Sequence, residues 1–119
     1  MKVNSLPGTP TVTNVSPARI KSTGSTVTLT VSPGTDSDTG QTLSILYNTD
    51  NSTWTTTNTV PNGKLTTTLT AATTYYFKTW DGLEYSSGTA SYTIKKNIKP
   101  TISSVSMTAV NTYSPTVTI

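Results

Sequence analysis

The sequence predicts an all-β fold, a β-sandwich of about seven antiparallel strands. Threonine makes up about a quarter of the residues, and its branched Cβ favours extended backbone. Apolar residues recur at every second position over most of the chain, which is the period of a half-buried strand. Turn-forming residues return every ~8–12 residues, a spacing typical of a sandwich. No segment has a helical period, so the fold class is all-β.

The first two strands are separated by a change in pattern. Val12 and Val15 are three residues apart, so we expect the first strand to be kinked between them. Alternation then becomes regular at Val27, Leu29 and Val31, with threonines between them. Residues 32–41 follow and are rich in Pro, Gly and Asp, which predicts a loop.

The rest of the domain alternates between short strands and turns. Turns are predicted at residues 48–52, 61–63 and 81–82. The predicted strands carry Leu43, Ile45 and Tyr47; a Thr-rich segment opening at Trp54; Leu65, Thr67 and Leu69; Tyr75, Phe77 and Thr79; and Ala90, Tyr92 and Ile94.

The chain also repeats part of itself. Residues 10–16 (PTVTNVS) return as residues 100–106 (PTISSVS), and residues 25–29 (STVTL) return as residues 115–119 (PTVTI). Both matches have the same offset of 90 residues. A unit of ~90 residues is the size of a complete β-sandwich domain. We therefore expect a linker or terminal extension at 1–9, one domain at 10–97, and at 98–119 a linker with the first strands of an incomplete second repeat.

One segment of the domain resembles a known corner motif. Residues 69–79 resemble the corner of fibronectin type III domains, with Leu69, Thr73, Tyr75 and Phe77 in matching positions and Ala71 in place of the usual proline. The resemblance implies that Tyr75 is a corner tyrosine, whose hydroxyl bonds to backbone a few residues upstream.

Two further segments resemble Ig-like repeats of bacterial and archaeal surface proteins. These are residues 75–82, an aromatic strand ending in Asp-Gly, and residues 36–43, an acidic loop before a strand. Together the resemblances cover most of the predicted domain. They imply an Ig-like or fibronectin type III-like β-sandwich from a prokaryotic cell-surface or secreted protein, and hence an extracellular location.

Composition excludes several kinds of chemistry. The sequence has no Cys and no His, which excludes the usual zinc sites and the Ser–His and Cys–His nucleophile pairs. Asp50 and Glu84 are isolated in sequence, so no acid–base pair is predicted. We expect neither an enzyme nor a resident cofactor.

The charge pattern favours neither nucleic acid nor membrane as a partner. The net charge is only +3 and is carried by scattered lysines. Lys95, Lys96 and Lys99 cluster after the last predicted strand, where a solvated linker is the simpler interpretation than a contact with an anionic polymer. No run of ~18 apolar residues is present, so direct membrane insertion is not expected. We expect a monomer whose partners are neighbouring repeats of the same chain.

A calcium site is one alternative for the loops. Asp36, Asp38 and Asp81 are carboxylates that could meet at one end of the sandwich, and Ca²⁺ takes six to eight oxygen ligands. Asp in loops more often accepts hydrogen bonds from nearby backbone, and we favour that interpretation.

The aromatic residues and one asparagine provide other candidates. If Tyr75 and Phe77 point inward, Tyr76 and Trp80 face outward, and with Trp54 they could stack on a sugar ring. The alternative is packing across neighbouring strands, which we favour; Tyr85 is a further aromatic of this kind. Asn51 begins an Asn-Ser-Thr glycosylation motif in a predicted turn.

These observations favour a structural or adhesive spacer in a tandem-repeat surface protein. Two alternatives remain open: a carbohydrate-binding accessory module of a polysaccharide-active protein, with cell-wall or extracellular polysaccharide as its partner, and a phage tail or virion decoration domain.

Overall fold

The computed structural model describes residues 3–98, which form seven strands and one 3₁₀ turn. The strands are β1 (Thr11–Ser16), β2 (Arg19–Ile20), β3 (Ser25–Ser32), β4 (Ser44–Asn48), β5 (Lys64–Leu69), β6 (Thr73–Trp80) and β7 (Ala90–Lys96), with the 3₁₀ turn at Pro61–Gly63 before β5. They make a three-stranded sheet, β1-β3-β5, and a four-stranded sheet, β2-β7-β6-β4. The all-β prediction is confirmed, and the two sheets are compatible with a β-sandwich.

The three-stranded sheet is antiparallel. In its first pair, Val15 lies opposite Leu29, and the register shifts between Val12 and Asn14, so the predicted kink in β1 is confirmed. In the other pair, Leu29 also lies opposite Leu65. Threonines on the outer face join the strands, since the hydroxyls of Thr26 and Thr68 are 3.0 Å apart. The outer surface is thus polar while the inner one is apolar.

The four-stranded sheet corrects the expectation that every strand would be antiparallel. β2 pairs with β7 in parallel, with Arg19 opposite Lys95 and Ile20 opposite Lys96. The other two pairs are antiparallel. β2 is only two residues long, too short for alternation to show in the sequence, and it follows the kinked β1 after Pro17. Ile20 is fully buried there.

The core lies where the two sheets face each other. It takes one inward residue in two from β3 and from β6, as the alternation predicts. Phe77 and Leu29 are completely buried, and Tyr75 exposes only 5% of its surface. The complete cluster is Ile20, Val27, Leu29, Val31, Ile45, Val60, Leu65, Tyr75, Phe77 and Ile94.

One apolar residue is buried on the wrong side of its sheet. Leu46 alternates with the inward Ile45 and therefore belongs to the outer face, yet it is completely buried. The segment after β4 returns alongside that strand: Thr59 forms an isolated bridge with Leu46, and the Val60 amide donates to the Ile45 carbonyl at 2.8 Å. The strand predicted to open at Trp54 does not form. Residues 49–60 make a loop instead, which we call the covering loop, because its Trp54 contacts Lys78 on the outer face, opposite Leu46.

The chain enters and leaves the domain at opposite ends. Thr11 begins β1 opposite the last residue of β3, Ser32, and the loop after β3 meets the end of β6, where the Gly34 amide donates to Thr79 Oγ1 at 3.0 Å. We call this end, made of residues 3–10, 33–43 and 81–89, the acidic end. β7 finishes at the other end, beside β2. We call that end, made of residues 17–24, 49–53, 70–72 and 95–98, the basic end.

The predicted boundaries of the domain stand differently at its two ends. Residues 3–9, predicted as a linker or extension, lie against the loop after β3: the Gly8 amide donates to the Thr35 carbonyl at 2.7 Å. Gly34 faces Gly8 so closely that a Cβ there would collide with the Gly8 backbone. The incomplete second repeat predicted at 98–119 lies, apart from Ile98, outside the described residues. Within residues 3–98, no helix has the length and apolar character needed to cross a membrane.

Candidate functional site

Most of the acidic side chains of this protein lie at one end. Four of its five Asp and Glu residues belong to the acidic end, Asp36, Asp38, Asp81 and Glu84, and the three segments that form this end contain no Lys or Arg. Two turns following β3 and β6 place them there, since both strands finish at that end. The result is a local charge of −4 on a protein whose net charge is +3.

Asn4 links two of these acidic loops. Its Nδ2 donates to Asp81 Oδ2 and to Glu84 Oε1, both at 2.9 Å. Its Oδ1 accepts a hydrogen bond from Gln41 Nε2 at 2.7 Å. Ser5, next in sequence, donates its backbone N–H to Asp38 Oδ2 at 2.7 Å. The N-terminal segment is therefore held by side chains that the sequence pattern could not single out, because isolated polar residues carry no period.

Asp81 is buried but remains a favourable place for a negative charge. Burial raises the pKa of its carboxyl, but hydrogen bonds from the Glu84 amide, Asn4 Nδ2 and the Leu83 amide outweigh burial and hold the pKa below its ordinary value. The Glu84 and Leu83 amides lie 2.7 and 2.8 Å from Asp81 Oδ1. The carboxylate thus closes the turn after β6.

The predicted aspartate group does not converge on a metal ion. Among residues 3–98, no three His, Cys, Asp or Glu side chains come close enough together to hold one. Asp38 and Asp81 accept from backbone or amide N–H groups, and Asp36 Oδ1 accepts from the Asp38 amide at 2.9 Å. Two buried oxygens, Asp36 Oδ2 and Gln41 Oε1, accept no hydrogen bond from any described residue. Both belong to the acidic end, which therefore has unused acceptors.

The aromatic candidates collect on the outer face of the four-stranded sheet. Trp80 at the end of β6 packs on Tyr85, with ring centroids 4.8 Å apart and planes inclined by 49°. Trp54 in the covering loop lies 5.5 Å from Lys78 Nζ, which sits over the ring. The Tyr85 hydroxyl donates to the Trp54 carbonyl at 3.3 Å. We call Trp54, Lys78, Trp80 and Tyr85 the aromatic cluster.

The cluster is built differently from the stripe that the sequence predicted. Tyr76, Lys78 and Trp80 do lie on the outer face, alternating with buried Tyr75, Phe77 and Thr79. However, Trp80 and Trp54 are each half-buried and in contact with another side chain of the domain. Tyr76 is four residues from Trp80, about 13 Å along the strand. Among the described residues, the Tyr76 ring makes no aromatic contact with Trp80 or Trp54.

Tyr75 occupies the predicted inward position without making the hydrogen bond that the corner motif implies. Its ring packs between Tyr47 and Phe77, at centroid distances of 6.1 and 6.4 Å. Within residues 3–98, no side-chain hydrogen bond of Tyr75 is observed, and its hydroxyl is not among the buried atoms left without a partner, so it is open to water. The residue acts here through the packing of its ring.

Asn51 lies in the exposed loop after β4. Its backbone is left-handed, with φ of 56°, and its amide donates to Asn48 Oδ1 at 2.9 Å. The neighbouring Asp50 carboxylate accepts the amides of Thr53 and Ser52, both at 2.9 Å, and these bonds lower the pKa of Asp50 to about 2. The Asn51 side chain is accessible for modification in this loop.

The surface of the described part includes three open hollows with polar and apolar linings. One, of about 610 Å³, opens between β3 and β4 and is bordered by Val31, Ile45 and Val60. A second, of about 410 Å³, lies on the acidic end and is bordered by Val3, Asp38, Gln41 and Leu83. The third, of about 310 Å³, lies beside Tyr47 and Asp50. None of these three hollows brings a nucleophile together with a base.

No family model, no curated protein and no solved structure matches this chain.

Proposed function

We propose that this protein is an Ig-like, fibronectin type III-like spacer module of a tandem-repeat extracellular protein, in which each unit adds a fixed length between its neighbours. The observation that carries the proposal is the 90-residue repetition in the sequence. It fits a domain whose chain enters at one end and leaves at the other, because such units can follow one another in a row. The parent protein would then expose its terminal domain at a distance from the cell surface.

The strand arrangement supports the Ig-like part of this proposal. A three-stranded sheet β1-β3-β5 faces a four-stranded sheet β2-β7-β6-β4, and consecutive strands repeatedly cross from one sheet to the other. Sheets of three and four strands with such crossings are usual in Ig-like sandwiches. The division of the first strand into β1 and β2, one in each sheet, is compatible with the same family.

The sequence of the parent gene tests the spacer function directly. We expect further copies at intervals of about 90 residues on either side of this one. A parent holding a single copy joined to a polysaccharide-active domain, or one lying among virion tail genes, would contradict the spacer function.

A carbohydrate-binding module is the second candidate, because the aromatic cluster lies on one outer face. Retention on insoluble cell-wall and plant polysaccharides separates the two functions. We expect no retention, because the Trp80 ring already packs on Tyr85 and the Trp54 ring already contacts Lys78 Nζ. The matched variants are Trp80→Ala and Leu83→Ala, the second removing a 65% exposed side chain outside the cluster. Retention that Trp80→Ala abolishes and Leu83→Ala preserves would establish sugar binding instead.

A further inference from the structure

The two ends of the domain carry opposite charge. The acidic end has four carboxylates and no Lys or Arg. The basic end holds Arg19 and Lys21 around β2 and Lys95 and Lys96 at the end of β7, against the single carboxylate of Asp50. All four of these basic side chains are exposed. A net charge of about +3 thus faces away from a charge of −4.

Exposed apolar side chains are also confined to these ends. Among residues 3–98, the large hydrophobic residues that stand exposed are Val3, Leu6, Leu83 and Ile98. The first three belong to the acidic end, where Val3 and Leu83 border the hollow of about 410 Å³. Ile98, 86% exposed, follows β7 at the basic end. The large exposed apolar side chains of the described part thus lie at its two ends, where neighbouring units of an array would meet.

The repeat register shows which surfaces would meet. Four residues, 97–100, separate the end of β7 from Thr101, the counterpart of the first residue of β1. Such a connection reaches about 17 Å at most. The basic end of one repeat must therefore lie close to the acidic end of the next. Subtracting 90 places Lys95 and Lys96 at the positions of Ser5 and Leu6.

We propose that Lys95 and Lys96 of one repeat form ion pairs with the acidic end of the following repeat. The backbone N–H of Ser5 lies 2.7 Å from Asp38 Oδ2, and its neighbour Asn4 contacts Asp81 and Glu84. A lysine at position 5 or 6 therefore comes within reach of these carboxylates. Each ammonium also brings three donors to an end that has unused acceptors. This inference rests on the proposed function, since it assumes that a second copy follows the first.

The junction can be imitated in the 119-residue chain itself. The variant Ser5→Lys/Leu6→Lys gives its N-terminal segment the two charges of a preceding repeat, and Ser5→Glu/Leu6→Glu is the matched control. Both lose the same Leu6 side chain, so packing cancels when the two are compared. We expect the lysine variant to melt about 4 °C above the glutamate variant at low salt, since two exposed ion pairs replace two repulsive contacts. The difference should almost vanish in about 1 M salt.

A further substitution identifies the partner. When Asp38→Asn is added to both the lysine and the glutamate variant, the difference between their melting temperatures should shrink by a large part. When Asp50→Asn, which neutralises a carboxylate at the other end, is added to both, that difference should stay the same. Equal melting temperatures for the lysine and glutamate variants at low salt would overturn the proposed ion pairs. The melting comparison uses only this chain, so its outcome does not depend on how many copies the parent gene contains. Further copies in the parent gene together with equal melting temperatures would support the spacer function and overturn the ion pairs. A single copy in the parent gene would contradict the spacer function itself.

Discussion

At the level of single residues, Tyr75 contributes through its ring. The ring lies between Tyr47 and Phe77 and is 5% exposed, but its hydroxyl bonds to nothing in the described residues. We therefore expect Tyr75→Phe to change the free energy of unfolding by less than about 0.5 kcal/mol. Tyr75→Ala should lower it by about 3–5 kcal/mol, because it leaves a cavity in the core. Urea unfolding of the three proteins measures both effects. A loss of about 1–2 kcal/mol for Tyr75→Phe would instead show that the corner hydrogen bond exists in solution.

Asp81 makes stability depend on pH in a defined direction. Its pKa is lower in the folded protein than in the unfolded chain, so the folded state favours the charged form. The resulting stabilisation is present above pH ~4, the unfolded pKa, and is lost as the pH falls through the folded value. We expect Asp81→Asn to be less stable than the parent at neutral pH and to approach it in acid. Unfolding free energies measured from about pH 7 to about pH 2 show whether the two curves converge.

Calcium should have no effect on stability. Asp38 and Asp81 already accept hydrogen bonds from Ser5, Asn4 and the turn after β6, and ligation would have to break them. We expect the melting temperature to be the same in millimolar Ca²⁺ and in EDTA, because only binding to the folded state would raise it. A higher melting temperature in Ca²⁺, absent from the Asp36→Asn variant, would show a metal site.

At the level of strands and loops, the covering loop after β4 is associated with a leucine that is buried as completely as the core residues. Leu46 is completely buried beneath it on the outer face. We expect Leu46→Ala to lower the free energy of unfolding by about 2–5 kcal/mol, as for a core leucine. Leu83→Ala, at a 65% exposed position, is the matched control and should have little effect. Comparable effects of both substitutions in urea unfolding would mean that the loop does not stay over Leu46.

The alternation of apolar and polar residues predicted most of the strands, because most strands have one face toward the core and one toward solvent. Val27, Leu29 and Val31 on β3, and Tyr75 and Phe77 on β6, are buried as their spacing indicated. The strand prediction was wrong where contacts with other segments, and not the alternation of residues, determine the backbone conformation. The segment at Trp54 has enough β-forming residues for a strand, but tertiary contacts with Leu46 and Lys78 hold it as a loop.

The candidate sites were predictable only in part. The outward position of Trp80 follows from strand period, but its contact with Tyr85 depends on the turn between them. Likewise, the sequence showed acidic loops but gave no sign that Asn4 would join them, because Asn4 and Asp81 are far apart in sequence. Pairings of this kind arise from topology, which places three loops at one end.

For the whole molecule, residues 100–119 bear on where the domain ends. By the repeat register they correspond to only the first two strands of a unit, which cannot close a core. We expect a chain ending at Lys99 to have nearly the same melting temperature as the full chain. A loss of several degrees, measured by circular dichroism, would mean that residues 100–119 belong to the domain and that its predicted boundary is wrong.

The parallel pairing of β2 with β7 has a mechanical consequence. β2 lies near the start of the domain and β7 is the last strand of the described residues, and the Asn97 amide extends their contact by donating to the Ile20 carbonyl at 2.7 Å. Tension applied to the two termini pulls these neighbouring strands in opposite directions along their length. Their hydrogen bonds run across the strands, so they are loaded in shear and must yield together, whereas a hairpin pulled open at one end loses its bonds one at a time. We therefore expect the hydrogen bonds between β2 and β7 to resist stretching of the domain.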